Sequence, residues 1–322
     1  MWGHAQMLPV LESGEETLIG GQAVMEGVMM RAPHSYCIAV RKSSGEIVTE
    51  QQKLAKVSEK YPIFKYPMLR GLGTLGQAMS LGYKALQYSA NVVLEEEQAK
   101  QGEAPRKSKP FSNTMMGIQL ALSLAFFIFA YKFVPLWLTT RIGDAVPDVQ
   151  GRVAFNLTDG VIRILIFLAF LFLMSKLKDI RRVFEYHGAE HRVVFNFESG
   201  KEITVANAQS FTTFHPRCGT SFLITVMLIS MAVYTVLPFD TFAGKFASRI
   251  ALLPVIAGLS YEVIRFAAKR PGTLMALLTA PGLWMQRITT KNPAADQTEI
   301  AIAALEGAMA LEKTQGGQLV IA

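Results

Sequence analysis

The stretch that decides the fold class is MMGIQLALSLAFFIFAYKFVPLWL, residues Met115–Leu138, an apolar run interrupted by a single lysine. A helix of about 20 apolar residues is long enough to cross the hydrocarbon core of a bilayer. Three further runs have a similar character: Val161–Ser175, Phe222–Phe239 and Ile250–Phe266. The sequence therefore predicts an α-helical polytopic membrane protein with about four spans. Arg163 interrupts the second run and would have to extend to the interface.

The composition of the whole chain agrees with a membrane protein. Hydrophobic residues make up 51% of the 322 residues and charged residues 18%, and the mean hydropathy is +0.28. Ordinary soluble domains are less apolar. We attribute the net charge of +7 to loops that face anionic membrane lipids, and we do not expect nucleic acid as a partner. The two cysteines lie far apart in sequence and predict no disulfide.

The distribution of basic residues predicts the orientation. The connection between the second and third runs is the most basic one, and it contains Lys176, Lys178, Arg181, Arg182, Arg192, Lys201 and Arg217. By the positive-inside rule this connection is cytoplasmic, so four spans place both termini in the cytoplasm. We expect Arg181 and Arg182, and with them Arg31, to contact anionic lipid headgroups or an acidic protein partner.

The remaining segments predict a small cytoplasmic α+β part built from two β-hairpins. Tyr36–Arg41 with Ile47–Gln52 predicts one hairpin, and Val193–Phe197 with Glu202–Val205 predicts the other. The chain divides into seven predicted segments: a tail (1–17), a hairpin and helix (18–95), a linker (96–114), two spans (115–175), a cytoplasmic metal-binding loop (176–221), two more spans (222–266) and a C-terminal part (267–322). The helix of the second segment is amphipathic and runs from Pro67 to Glu95. The C-terminal part contains a re-entrant or interfacial segment at Thr273–Ala280 and a terminal helix at Asp296–Leu311.

A metal site is predicted by Tyr186-His187-Gly188-Ala189-Glu190-His191 and by His215-Pro216-Arg217-Cys218. His187 and His191 share one helix face, the face that also carries the apolar residues. With His215 and Cys218 they form the predicted ligand set, whose nitrogen and thiolate donors suit zinc first and iron, cobalt or nickel next. Four protein ligands would make a closed structural site, whereas three would leave a position for water, and the sequence leaves both open.

Three carboxylates are candidate catalytic groups. Glu190 completes a His-x-x-Glu-His pattern, in which glutamate is the general base of inverted zinc metalloproteases; the alternative is a surface charge or an acceptor for a ligand. Glu26 lies in the glycine-rich stretch Gly20–Arg31, which is either a structural turn or a loop that reaches the site. Glu262 lies near the cytoplasmic end of the fourth run, and its alternative role is to pair with Arg265 or Arg70.

Four motifs carry a resemblance to a known family: Gly20–Arg31, Tyr186–Arg192, His215–Ser221 and Pro281–Gln286. On these residues the chain resembles the family of unknown function numbered 1385, the YqhQ-like bacterial membrane proteins, over Leu18–Thr290. The resemblance implies a bacterial inner-membrane protein with a metal site, and it implies no established reaction.

Two functions follow as expectations. The first is a metal-dependent enzyme, a hydrolase or an isomerase, that acts on lipid or acyl chains at the cytoplasmic face. The alternative is a non-catalytic scaffold stapled by zinc, which docks translocation or biogenesis machinery or another cytoplasmic partner.

Overall fold

The computed structural model describes residues 19–55, 57–100, 113–216, 218–268 and 274–314. The predicted tail, residues 101–112 of the predicted linker, Arg217 and the start of the predicted re-entrant segment lie outside these ranges. Within them the chain is mostly helical and carries one four-stranded sheet near its N-terminal end.

The sheet is an antiparallel meander in the order β1-β2-β3-β4. Its strands are β1 (Gly20–Val24), β2 (Gly27–Arg31), β3 (Ser35–Arg41) and β4 (Ile47–Lys53). The predicted hairpin at 36–52 is confirmed as β3 and β4. The other hairpin is β1 with β2, whose register pairs Val24 with Gly27 and leaves Met25 and Glu26 as the turn.

The predicted second hairpin at 193–205 is wrong. Residues 193–197 continue helix α6 (Lys178–Glu198), and α7 (Val205–Gln209) follows after a short connection. The alternation of Val193, Phe195 and Phe197 resembles a strand, but Val194 and Asn196 between them are also buried. A helix that packs on two neighbouring elements buries consecutive residues, so its apolar residues no longer recur with the helical period.

The sheet forms the middle layer of a three-layer α/β/α part. Helix α2 (Leu69–Lys100) covers one face, where Met29 and Ile38 pack on Leu81. Helices α6 and α12 (Ala295–Thr314) cover the other face, which presents Met30 and Cys37. The alternate residues of β2 and β3 therefore fill two separate cores. The predicted helices at 67–95 and 296–311 are confirmed as α2 and α12 with shifted ends.

The rest of the described chain is a helical bundle. Its helices are α3 (Asn113–Ile128), continued by a π-helical turn at Phe129–Phe133 into α4 (Val134–Ala145), α5 (Arg152–Met174), α8 (Gly219–Val236), α9 (Phe242–Ala251), α10 (Leu253–Ala268) and α11 (Leu274–Thr289). A short helix α1 (Val57–Lys60) and two 3-10 turns (Pro62–Lys65 and Pro147–Gln150) complete the described elements. Tyr131, Phe167, Ile224 and Met285 form the core of the bundle.

Three helical stretches are long and apolar enough to cross a membrane: Ala121–Ala145, Arg152–Met174 and Gly219–Val236. A fourth is counted if α9 and α10, which meet at a bend of 52°, are taken as one span. The predicted runs therefore correspond to helices, the fourth to a broken one. The apolar stretch after them begins α11, which continues to Thr289 and packs against α8.

The expectation that Arg163 extends to the interface is wrong. Only 3% of its surface is exposed, and it forms an ion pair with Asp159 one turn earlier on α5. It also donates from Nη1 to the Ser230 hydroxyl at 2.8 Å. Asp159, a buried carboxylate on the same helix face, is the partner of Arg163, so the arginine does not need to reach the lipid interface.

Candidate metal centre

Two histidines of α6 lie side by side with fixed ring orientations. The ring centroids of His187 and His191 are 4.4 Å apart. His187 Nδ1 lies 2.8 Å from the Thr289 carbonyl oxygen, and His191 Nδ1 contacts the Thr213 carbonyl oxygen. A carbonyl oxygen only accepts, so Nδ1 of each neutral ring carries the proton and Nε2 presents a lone pair. This is the tautomer that binds a metal through Nε2.

Cys218 brings a thiol to the same place. It is the N-cap residue of α8, and its Sγ lies 3.2 Å from His187 Nε2. One ligand atom from each of His187, His191 and Cys218 lies within 4.8 Å of the other two. Ligand atoms of a tetrahedral zinc site are about 3.5 Å apart, because the bonds are about 2.0 to 2.3 Å long. The donor set and its spacing therefore fit one zinc ion.

The loop after α11 holds α6 in position. Gly188 lies so close to it that a Cβ there would be 1.9 Å from the Lys291 carbonyl oxygen. The same loop is anchored by the Lys291 amide, which donates to the Phe184 carbonyl oxygen at 2.9 Å. Only glycine at position 188 permits this close approach, which explains sterically why the His-Gly-Ala-Glu-His motif contains a glycine.

His215 lies beside the cluster but outside it. Its ring centroid is 5.6 Å from that of His191, and its Nε2 lies 3.4 Å from a Glu198 carboxylate oxygen. Burial lowers the pKa of His215 to about 4, partly offset by the charge of Glu190, so the ring is neutral at pH 7. Of the four predicted ligands, the structure thus brings three together.

Glu190 is the carboxylate that lies at the cluster. Its Oε2 is 3.9 Å from His187 Nε2, and the residue is 7% exposed. Its side chain packs against Gly21 of β1, where a Cβ would meet Glu190 Cγ at 2.8 Å. Among the residues that the structure describes, no lysine or arginine forms an ion pair with it. Gly21 also connects the glycine-rich stretch to the site: its strand forms a wall behind Glu190.

The other two candidate carboxylates lie in ion pairs elsewhere. Glu26, in the β1–β2 turn, accepts from Arg182 Nη2 at 2.6 Å and from the Tyr186 hydroxyl at 3.3 Å. Glu262 accepts from Arg70 Nε at 2.7 Å, and this is one of the two alternative pairings considered from the sequence. These contacts tie β1–β2 to α6 and α10 to α2.

The predicted lipid or partner contacts differ in exposure. Arg181 is two-thirds exposed and lies 3.5 Å from Glu185 on its own helix. Arg182 is engaged by Glu26, as described above. Arg31 is partly buried, and burial lowers its pKa. Arg181 is therefore the most exposed member of this set.

Gln286 is a site residue whose role was not predicted from the sequence, although it ends the Pro281–Gln286 motif. Its Oε1 accepts from the His215 amide at 2.8 Å, and its Nε2 donates to the His215 carbonyl oxygen at 2.8 Å. Both groups of a fully buried amide are thus used to fix the backbone beside Cys218. Its place in the Pro281–Gln286 motif was the available signal. The contacts of His187 and His191 with the Thr289 and Thr213 carbonyl groups could not be predicted from the sequence, and neither could the contact of Glu198 with His215.

Comparison with known proteins identifies the family. The model of a protein family of unknown function, DUF1385, matches residues 66–311. The uncharacterized protein YqhQ of Bacillus subtilis (strain 168) is 33% identical over 304 residues, which cover 91% of this chain and 92% of the relative. No solved structure matches the chain. With a fold and a histidine–cysteine cluster now described for it, the chain belongs to the DUF1385 family.

Proposed function

We propose that the protein is an integral membrane metalloenzyme that holds one divalent transition metal, zinc first, and acts on lipid or acyl chains at the cytoplasmic face. The observation that supports it is the set of three converging ligands, His187, His191 and Cys218. Three protein ligands leave a tetrahedral position for water or substrate, which is the arrangement of catalytic zinc sites. Bound zinc supplies Lewis-acid chemistry, which lowers the pKa of water and polarises a carbonyl or phosphoryl oxygen.

The residues around the ligands have separate tasks in this proposal. The carbonyl groups of Thr213 and Thr289 hold the two imidazoles in the ligating tautomer. Glu190 would serve as the general base for a water molecule, because it lies next to His187 and has no competing cation among the described residues. Gln286 fixes the backbone that carries His215 and leads to Cys218. The reaction class that fits these tasks best is hydrolysis, with isomerisation as the second choice.

The choice of an acyl-chain substrate rests on an apolar groove in the bundle. It has a volume of about 410 Å³ and is lined by Leu122, Ser123, Phe126, Phe127, Tyr131, Phe167 and Phe170. Its inner wall packs on Ile224 and Met285. Met285 directly precedes Gln286 on α11, and the Gln286 side chain holds the His215 backbone beside the candidate metal centre. A groove of this kind on apolar helices suits a hydrocarbon chain.

The cytoplasmic placement follows from loop charge. The connection that carries the cluster also carries Arg181, which we propose contacts anionic lipid headgroups. A reporter fused at Gly200 is expected to give a cytoplasmic signal, and a reporter at Gly244 a periplasmic one. A cytoplasmic signal at Gly244 would contradict the orientation.

A structural role is the second candidate. His187 and His191 come from α6 of the α/β part, whereas Cys218 begins α8 of the bundle. A metal that joins them would staple the two parts together and would leave the basic surface at Arg181 to dock translocation or biogenesis machinery. The single variant Glu190→Gln separates the candidates, since a staple does not need a base.

Elemental analysis of the purified protein tests the metal itself. We expect close to one equivalent of zinc in the wild type and loss of most of it in His187→Ala, His191→Ala and Cys218→Ala. Cys37→Ala is the matched control, because Cys37 is buried in the sheet core and should leave the metal unchanged. A folded wild-type protein that takes up no zinc, iron, cobalt or nickel would overturn the proposal.

Lipid turnover then tests the enzyme. Glu190→Gln is expected to keep its metal and to lose hydrolysis of a bacterial lipid extract followed by mass spectrometry, by about 100-fold or more if Glu190 is the general base. Unchanged turnover in the metal-loaded variant removes that role. A wild type that binds metal and turns over no lipid favours the scaffold.

A further inference from the structure

A second charged cluster lies inside the bundle, outside the candidate metal centre. Lys132, Arg163 and Arg249 surround the single carboxylate of Asp159, and each of the four is at most 6% exposed. Arg249 Nη1 lies 2.6 Å from Asp159 Oδ1, and Arg163 pairs with the other carboxylate oxygen. Lys132 Nζ donates to the Tyr234 hydroxyl at 3.1 Å. The carboxylate is thus shared by two arginines while the lysine contacts a neutral group.

This cluster has an excess of positive charge. Arginine stays protonated in proteins, so Arg163 and Arg249 outnumber Asp159 whatever the state of Lys132. In addition, Arg163 Nε is buried with no hydrogen-bond partner among the described residues. Burying charge is costly unless it is paired, which indicates that an anion completes the cluster.

A small pocket opens against the cluster and has the same polarity. It has a volume of about 60 Å³, and its lining includes Asn156, Tyr234, Lys245 and Arg249. Arg249 Nη2 donates to Asn156 Oδ1 at 3.2 Å at its wall. Lys245 Nζ lies 3.8 Å from the centre of the Phe155 ring, which places its charge at the same pocket. Arg152 adds another cation to the lining and Asp240 one acid, so basic side chains outnumber acidic ones here too.

We propose that this pocket binds a phosphate group, whose oxygens accept from Lys245 and Arg249. Phosphate is the ligand class because its charge of up to two matches the excess, and because guanidinium and ammonium groups are its usual protein partners. The volume exceeds what a single water requires and suits one small oxyanion. Leu237 and Phe239 on the lining allow the phosphate to arrive on a lipid headgroup as well as free in solution.

Binding to the purified full-length protein in detergent tests the site. Two probes distinguish the sources: inorganic phosphate, and dihexanoyl phosphatidic acid, whose phosphate is on a glycerol lipid. Isothermal titration is expected to give saturable binding of at least one probe. Binding of inorganic phosphate identifies a free-phosphate site, and binding of the lipid alone identifies a headgroup site.

Variants locate the binding. Lys245→Gln removes a partly exposed cation of the pocket, and it is expected to raise the dissociation constant about tenfold or more. Arg141→Gln is the matched control: it removes an exposed arginine of α4 that lies over Trp137, outside the pocket lining, and it should leave binding within about twofold. Arg249→Lys tests the guanidinium and is compared only if its thermal unfolding remains cooperative. A folded wild type that binds neither probe, or Lys245→Gln with unchanged affinity, overturns the proposal.

Discussion

The two ends of helix α8 carry sites of opposite chemistry. Cys218 at its start lies with two imidazoles whose Nε2 lone pairs are free to ligate, and with the carboxylate of Glu190 nearby. Tyr234 near its end lies among Lys132, Arg163 and Arg249. The two residues are about 24 Å apart along the helix axis. We propose that the first end binds a cation, whereas the other end holds more positive charge than its own carboxylate can neutralise.

The difference shows how burial acts on different donor groups. At the start of α8, burial lowers the pKa of His215 and keeps this imidazole beside His191 neutral, so it adds no positive charge there. Near the end of α8, the arginines keep their charge at any physiological pH, so the same burial makes a counter-ion necessary. If α8 spans a membrane, as its length and composition allow, the two sites face opposite sides.

The largest effect is expected at the cationic end. Asp159→Asn leaves Arg163 and Arg249 without their carboxylate, and it should lower the free energy of unfolding by about 3 to 5 kcal/mol. Glu262→Gln is the comparison, because it breaks a more exposed ion pair with Arg70 and should cost about 1 kcal/mol. Thermal or denaturant unfolding in detergent measures both. Equal effects of the two substitutions would show that the buried cluster needs no internal anion.

The histidine–cysteine cluster at the start of α8 depends on a backbone contact. Gly188→Ala places a Cβ against the Lys291 carbonyl oxygen and should cost about 3 kcal/mol, together with loss of metal. Gly76→Ala is the control: a Cβ at Gly76 on α2 meets nothing within 4 Å, so it should stabilise by about 0.5 to 1 kcal/mol. The same unfolding measurement applies. A stable, metal-loaded Gly188→Ala protein would mean that the loop after α11 does not set the position of α6.

The two cysteines give a smaller, kinetic effect. Burial raises the pKa of Cys37 to about 12, with a lesser contribution from Glu50, so at pH 7.5 its thiol is protonated and should not react with a maleimide. Cys218 is partly exposed and should react after chelation of metal. Added zinc should slow the labelling of Cys218 about tenfold or more, since a ligating thiolate is occupied. Equal rates with and without zinc would exclude Cys218 as a ligand.

Much of the helical architecture and the core of the histidine–cysteine cluster could be predicted from the sequence. Long apolar runs identify helices because the hydropathy of neighbouring residues adds up along the run. The spacing of His187 and His191 places both on one helix face, and this inference needs no tertiary information. Cys218 lies four residues before the apolar run that begins at Phe222, which indicates a position near the start of that helix. These features are local, and local patterns are what a single sequence records.

The parts that failed depend on tertiary neighbours. The strand-like pattern at 193–197 arises because α6 is buried on two sides, and the strands at 20–31 were not recognised because their glycines and methionines lack strand character. Glu26, Glu190 and Glu262 were all candidate catalytic groups, and Glu190 was the one that belonged to the histidine motif. Glu262 pairs with Arg70, 192 positions away and one of the two partners considered from the sequence. The pairing of Glu26 with Arg182, 156 positions away, was not foreseen, because no local pattern encodes it.

X-ray absorption at the zinc edge of the metal-loaded wild type tests the central claim most directly. We predict a four-coordinate shell of two imidazole nitrogens, one sulfur and one exchangeable light atom, with the sulfur lost in Cys218→Ser. The shell should not change in His215→Ala, because His215 lies outside the cluster. A shell of three imidazoles and one sulfur that loses a nitrogen in His215→Ala would contradict the open site, and a shell without sulfur would contradict the ligand set itself.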